Sequence, residues 1–318
     1  MRKILNKEFI NKLEQIYSND DLKIIEEWFS INKRKTVVRV NTLKNENEKI
    51  EIVLKENKIS FKKVGFLKNA YILENASESD LWNLDIFKNG EIYLQSLSSQ
   101  IPVEMLDIKE NDKILDITAA PGWKTSQASA IMKNNWEVIA NDNNAIRLEK
   151  LKFTINRQWC KNVEVIKNDA RSIWKNNPKY INYFDKIIAD LPCSAEWKFN
   201  INNEKSYAYW SQDIVNKNYK LQKEIIQNTI ELLKDNWELV YSTCTISPEE
   251  NEAIVHMILG NYPEMKLEEV NLNYKYARKW INKINDKVYR KEVEKTIRIL
   301  PSDESEWFFV AKFKKIKN

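Results

Sequence analysis

From residue 112 onward the chain alternates short apolar runs with amphipathic stretches of helical length, and this alternation is what most limits its fold. Strands fit Lys113 to Thr118, Glu137 to Asn141, Val163 to Lys167, Lys186 to Asp190 and Leu239 to Thr243, with a closing pair at Thr296 to Leu300 and Phe308 to Phe313. Helices fit between them at Lys124 to Lys133, Asn144 to Arg157, Ile214 to Leu233 and Pro248 to Leu259. Strand, helix and strand in repetition predict a mostly parallel sheet covered by helices. The last helix carries its own start signal, with Ser247 as cap, Pro248 in the first turn and Glu250 three residues after the cap.

Residues 1–100 read differently: a helical opening, then β-like pieces near Thr36 to Val40 and Ala70 to Leu73, which predicts a separate small α/β domain. The stretch from Leu94 to Gln100 reads as a capped helix entering the main domain at about residue 101.

In an open α/β sheet, ligands bind beyond the carboxyl ends of the strands, so residues just after each strand are the candidates for chemistry. After the first strand, Thr118-Ala119-Ala120-Pro121-Gly122-Trp123-Lys124 is a small-residue turn into a helix, where backbone can approach a ligand and unpaired N–H groups are on offer. The turn lacks the spacing of a P-loop or of the dinucleotide glycine fingerprint, and a bare structural turn is the alternative. Asp142 closes the second strand, where a carboxylate reads a ribose diol, and Asp169 follows the third, on the adenine side. Cys193 and Cys244 each follow a strand, in Asp190-Leu191-Pro192-Cys193-Ser194 and Tyr241-Ser242-Thr243-Cys244-Thr245. Thiolates are good carbon nucleophiles, whereas free cysteine is also a common core residue. Cys160 has no motif around it, His256 reads as a helix-surface residue, and no cluster has metal-ligand spacing.

Charge narrows the partner class. Of a net charge of +5, residues 271–318 carry 13 Lys/Arg against 6 Asp/Glu, which suits either a phosphate-backbone partner or a solvated face. Three cysteines without close pairing predict reduced thiols. With no long apolar run and no signal core, the expectation is a soluble cytoplasmic protein with no membrane contact.

The segments Asp-Ile-Thr-Ala-Ala-Pro-Gly-Trp-Lys-Thr, Asp-Leu-Pro-Cys-Ser and Tyr-Ser-Thr-Cys-Thr-Ile-Ser-Pro-Glu-Glu-Asn-Glu resemble, in order, the motifs of the Nol1/Nop2/Sun (RsmB-type) RNA cytosine-5 methyltransferases. Arg39-Val40-Asn41-Thr42-Leu43-Lys44 resembles that family's N-terminal RNA-binding region. The resemblance implies a Rossmann-like S-adenosylmethionine methyltransferase domain over 101–318, with a seven-stranded sheet whose last strand is antiparallel. It implies an RRM-like RNA-binding region over 1–100. It further implies S-adenosyl-L-methionine as cofactor, held by Thr118 to Lys124, Asp142, Asp169 and Asp190. Ribosomal or transfer RNA is the implied partner, with no metal and a monomeric state. Cys244 resembles the nucleophile, Cys193 the second, product-releasing cysteine, and Asp190 lies where cofactor and base meet. A non-catalytic RNA-binding or assembly factor on the same fold is the competing reading.

Only 4 glycines occur beside 11 tryptophans, against an average glycine usage of about 7%. Trp136, Trp159 and Trp237 stand at helix-to-strand turns, where a left-handed residue is usual. The resembled family has glycine there, a small residue at Trp123, and glycine at Trp197 and Trp307. A source that reads UGA as glycine, translated with UGA as tryptophan, leaves this pattern.

Overall fold

A computed structural model describes residues 5–31, 33–279, 283–284 and 287–317. The chain opens with helices α1 (Lys7–Ile16) and α2 (Asn19–Ser30), capped by Asn6 and Ser18. A small sheet follows from β1 (Val37–Val40), β2 (Phe61–Lys63), β3 (Ala70–Leu73) and β4 (Ile92–Leu94), with α3 (Asn47–Glu56) inserted after β1. Its order is β2-β3-β1-β4, all pairs antiparallel. Ile50 and Leu54 of α3 share its core with Val38, Val40 and Tyr71. The helix α4 (Leu97–Met105) leads into the main domain.

That domain runs β5 (Lys113–Asp116), α5 (Trp123–Ile131), β6 (Glu137–Asn141), α6 (Ala145–Arg157), β7 (Val163–Ile166), β8 (Phe184–Asp190), α7 (Gln212–Ile230), β9 (Leu233–Thr243) and α8 (Glu252–Asn261). It closes with β10 (Met265–Glu268), β11 (Ala277–Lys279), β12 (Ile297–Ile299) and β13 (Phe308–Lys315). The strands β7-β6-β5-β8-β9 are parallel neighbours, and β13 joins β9 antiparallel. Leu115, Ile139, Ile187 and Leu239 on these strands are fully buried, as parallel strands covered on both faces require. The sheet continues past the seven strands expected, to nine: β12 and then β11 extend it beyond β13, and β10 pairs with the far end of β13.

One local expectation fails for a tertiary reason, and a second segment is buried in a junction. The helix after Cys244 begins at Glu252, not Pro248. Ser247 Oγ donates instead to Glu196 Oε1 (3.0 Å), and the Glu250 carboxylate accepts from the Ser194 N–H. The segment Arg39–Asn41 is buried rather than displayed. Arg39 donates to Trp123 O (3.0 Å) and Ser126 Oγ (2.8 Å), and Asn41 Nδ2 donates to Gly90 O (3.0 Å) and Gln158 O (2.8 Å). These residues therefore clamp the small sheet to α5 and to the end of α6. The first two helices also belong with the main core: Phe9 lies 5.0 Å from Phe199 and 5.2 Å from Trp210, ring centre to ring centre.

Trp136 and Trp159 do adopt the left-handed conformation, with φ of 52° and 62°. At the third turn the left-handed residue is Asn236 (φ 70°), and Trp237 lies within β9. Trp307 is fully buried against Tyr17 and Trp28.

Candidate active site

The carboxyl ends of β5, β8 and β9 converge on one cavity of about 480 Å³, lined by Thr118, Ala119, Ala120, Pro121, Trp123, Lys124, Asp190, Cys193 and Cys244. The turn after β5 reaches it because Gly122 takes φ 103° as the N-cap of α5. A Cβ at Gly122 would stand 2.9 Å from Leu151 Cδ1 and 3.2 Å from Thr154 Cβ, so this glycine lets α5 close on α6. Trp123, the first residue of the helix, has its side chain at the cavity, as does Trp197 from across it.

Lys124 is buried, and its Nζ donates to Asp190 Oδ2 (2.7 Å) and Ser99 Oγ (3.2 Å). Asp190 is held on three sides: Ser242 Oγ donates to its Oδ1 (2.7 Å) and Thr118 Oγ1 to its main-chain oxygen (2.7 Å). Beneath them Asp116 accepts from Thr125 Oγ1 (2.7 Å), and burial pushes its carboxyl up to about 7. The two thiols, from strands paired in register at Asp190 and Ser242, stand 3.1 Å apart, Sγ to Sγ. Cys193 is pushed well above the usual thiol range, first by its contact with Cys244 and then by burial. Both sulfurs thus border the same cavity, side by side.

Asp142 and Asp169 line an adjoining recess of about 70 Å³ that shares Thr118, Arg147 and Pro192 with the sulfur side. Arg147 Nη2 lies 3.2 Å from Asp142 Oδ2 but donates its hydrogen bond to Ala120 O (2.7 Å). Asp142 Oδ2 is left buried without a hydrogen-bond donor, the acceptor that a ribose hydroxyl would satisfy. Asp169 is already bound by Arg171 (Nη2 to Oδ2, 2.6 Å), so an adenine there meets an ion pair rather than a lone carboxylate. Cys160 is buried apart from these groups and raised by desolvation, and His256 Nδ1 accepts from the Arg290 N–H on the far side of α8. Among the described residues no group of three His, Cys, Asp or Glu is arranged to hold a metal, and no helix is long and apolar enough to cross a membrane.

Sequence reading missed Ser99, Ser242, Arg34 and Glu306. Ser99 and Ser242 hold the Lys124–Asp190 couple. Arg34 pairs with Glu306 (2.5 Å) at the rim and stacks near Trp197 (5.7 Å). Only Ser242 had a local signal, its place before Cys244; the others arrive from distant segments.

A small-residue turn into a helix, an acid at the next strand end and a parallel sheet closed by an antiparallel strand define a Rossmann-like methyltransferase that uses S-adenosylmethionine. The comparisons agree. The sequence model of the family described as 16S rRNA methyltransferase RsmB/F matches residues 103–314, and the chain belongs to that family. It is 32% identical over 315 residues to the tRNA (cytosine(49)-C(5))-methyltransferase of Pyrococcus abyssi, covering 98% of this chain and 97% of that one. It is 33% identical over 322 residues to ribosomal RNA small subunit methyltransferase F of Psychromonas ingrahamii, covering 97% of this chain and 63% of the relative. A crystallised methyltransferase homologue from Pyrococcus horikoshii superposes with a TM-score of 0.83 at 28% identity, over 98% of this chain and 95% of that one. The NSun6 structure from the same organism, solved with SFG, an analogue of S-adenosylmethionine, has a TM-score of 0.82 at 22% identity over the whole of both chains.

Proposed function

We propose that the protein methylates carbon 5 of cytosine in ribosomal or transfer RNA, with Cys244 as nucleophile, Cys193 as the releasing group and Asp190 with Lys124 as the acid couple. The observation that carries this reading is the 3.1 Å approach of the two thiols beside a lysine–aspartate pair at the strand ends.

Carbon 5 of cytosine is too weak a nucleophile to attack a methyl group unaided, and addition of a thiolate to carbon 6 makes it enamine-like. Cys244 Sγ bonds to carbon 6 while the ring nitrogen at position 3 takes a proton from the Lys124–Asp190 couple. Bound S-adenosylmethionine supplies the electrophilic methyl group. The proton on carbon 5 then passes to a water positioned by the Cys193 thiol, and the Cys244–carbon 6 bond breaks with its electrons returning to Sγ as the thiolate. The carbon 5–hydrogen electrons restore the ring double bond, and ring nitrogen 3 gives its proton back to the Lys124–Asp190 couple. Thr118 to Lys124 would line the methionine side, Asp142 the ribose and Asp169 the adenine. The target base has to leave its stack to enter such a cavity. Residues 1–100 are proposed as the RNA-binding region, through surfaces other than the buried Arg39 and Asn41.

The test is methyl transfer from labelled S-adenosylmethionine to cytosine-containing RNA. Cys244→Ala should abolish it, and Cys193→Ala should accumulate a covalent protein–RNA adduct on denaturing gels. Absence of any adduct in Cys193→Ala would overturn the division of labour between the thiols. Bisulfite sequencing of ribosomal and transfer RNA, with and without the gene, assigns the target.

A further inference from the structure

Glu250 lies in the segment that the sequence marks as a helix start, yet its carboxylate is fully buried beneath the loop that carries Cys193. Oε2 accepts from Ser194 N (3.1 Å) and Gln222 Nε2 (2.9 Å), and Oε1 lies against Ser194 Oγ. The same hydroxyl is 2.8 Å from Glu196 Oε1 and 2.9 Å from Thr245 Oγ1. Ser194 Oγ therefore has three oxygens in bonding range and one proton of its own. Thr245 Oγ1 can donate the second proton, to Ser194 or at 3.5 Å to Glu250 Oε1, and a carboxyl proton satisfies the third. Glu196 Oε1 already receives Trp210 Nε1 and Ser247 Oγ, both at 3.0 Å, and Glu196 Oε2 has no partner to which a proton could bond. A proton on Glu250 completes the chain, with its O–H donating to Ser194 and Ser194 donating to Glu196 Oε1.

We propose that Glu250 is a positioning residue for the two-cysteine reaction, held as the neutral acid so that the chain Glu250–Ser194–Glu196 locks the Cys193 loop against the strand end bearing Cys244. The proposal rests on the cysteine roles given above. The groups facing Glu250 are consistent with it. Glu196 comes from the 3₁₀ turn, Cys193 from the loop after β8, Gln222 from α7 and Tyr241 from β9, whose hydroxyl donates to the Glu250 main-chain oxygen. The cations on the adjoining residues are paired elsewhere, Lys12 with Glu249 and Arg298 with Glu252. Burial first, and then Glu196, push Glu250 up to about 8. Ionisation above that point removes the donor to Ser194 and sets two carboxylates against one hydroxyl, which loosens the Cys193 loop and slows adduct release.

Glutamine reproduces the neutral acid here. Its amide nitrogen can donate to Ser194 Oγ, and its oxygen can accept from Ser194 N and Gln222. The experiment is the pH profile of single-turnover methylation and adduct breakdown for wild type, Glu250→Gln and Glu250→Ala. In wild type, adduct breakdown should slow on the alkaline side. Glu250→Ala should slow it at neutral pH by roughly 10- to 100-fold, the cost of misplacing a reacting group by about an ångström, and should accumulate adduct. Glu250→Gln should restore breakdown and lose the alkaline fall. If Glu250→Ala does not fold, the comparison of Glu250→Gln with wild type decides alone. An unchanged alkaline fall in Glu250→Gln, or Glu250→Gln as slow as Glu250→Ala, overturns the positioning role. If Cys193→Ala still traps adduct in the same assay, that failure leaves the methyltransferase reading intact; if it traps none, the cysteine roles fall as well.

Discussion

Trp136 and Trp159 are bulky residues held in a backbone conformation that favours glycine. Both are left-handed, with φ of 52° and 62°, and both side chains are substantially exposed, at 59% and 46%. Removing the indole costs the same contacts whether alanine or glycine replaces it, so the difference between those two variants isolates the backbone. An L-residue in the left-handed region costs about 1–2 kcal/mol. Glycine returns about 0.4–1 kcal/mol of that through its freer unfolded chain. Trp136→Gly should then exceed Trp136→Ala in stability by about 0.5–1 kcal/mol, likewise at 159, and the paired variants should differ by about 1–2 kcal/mol if the sites add. At Trp237, which lies inside β9, the order should reverse, with alanine ahead by roughly 0.5–1 kcal/mol. Urea unfolding of all six single variants, compared at equal m-value, measures this. Alanine equal to or better than glycine at 136 and 159 would refute the argument. Peptide masses of the native protein test the related reading of UGA as glycine, which tryptophan-bearing peptides at these positions would exclude.

Lys124→Met should leave Asp190 without its cation and lower turnover by roughly 10- to 100-fold, the worth of one charge-assisted hydrogen bond, with binding of S-adenosylmethionine followed by calorimetry as the control. Arg39→Met should lower stability by about 1–3 kcal/mol, since it removes two buried charge-assisted hydrogen bonds at the junction, while Ser126 Oγ keeps its bond to Trp123 O (3.1 Å). RNA affinity of the folded fraction should hold, and a large loss of affinity at unchanged stability would mean that Arg39 meets RNA instead. Asp116, raised by burial from 3.8 to about 7, binds a proton in the folded state that it has lost in the unfolded one. Its contribution is complete below pH 3.8 and disappears as pH rises through about 7. Asp116→Asn should flatten that part of the stability-versus-pH curve, and a profile identical to wild type would count against the burial argument.

Strand positions and the places of the functional loops were legible because a buried parallel strand leaves a run of apolar residues and its carboxyl end leaves a motif; strand order was not. Glu137 to Asn141 and Ala70 to Leu73 are strands over the predicted residues. The cysteines, Asp190 and the turn from Thr118 to Lys124 meet at one cavity for the same reason: chain direction in a parallel sheet brings all strand ends to one edge. Partners from distant segments left no local mark. Ser99 reaches Lys124 from α4, and Arg34 reaches Glu306 from the opposite end of the chain.

The sequence by itself determined the parallel core of the sheet, the class of protein and the loops proposed to carry its chemistry, since these follow from periodicity, from motifs and from side chains fixed at strand ends. Tertiary structure decided which polar groups those residues meet. It made Arg39 and Asn41 a buried clamp between the small sheet and the main domain, and it took Ser247 and Glu250 from an expected helix cap into a hydrogen-bonded cluster under Cys193. The physical reason is that a buried donor or acceptor must find a partner wherever the fold supplies one. Here those partners lie on segments far away in the chain, beyond the reach of any local pattern.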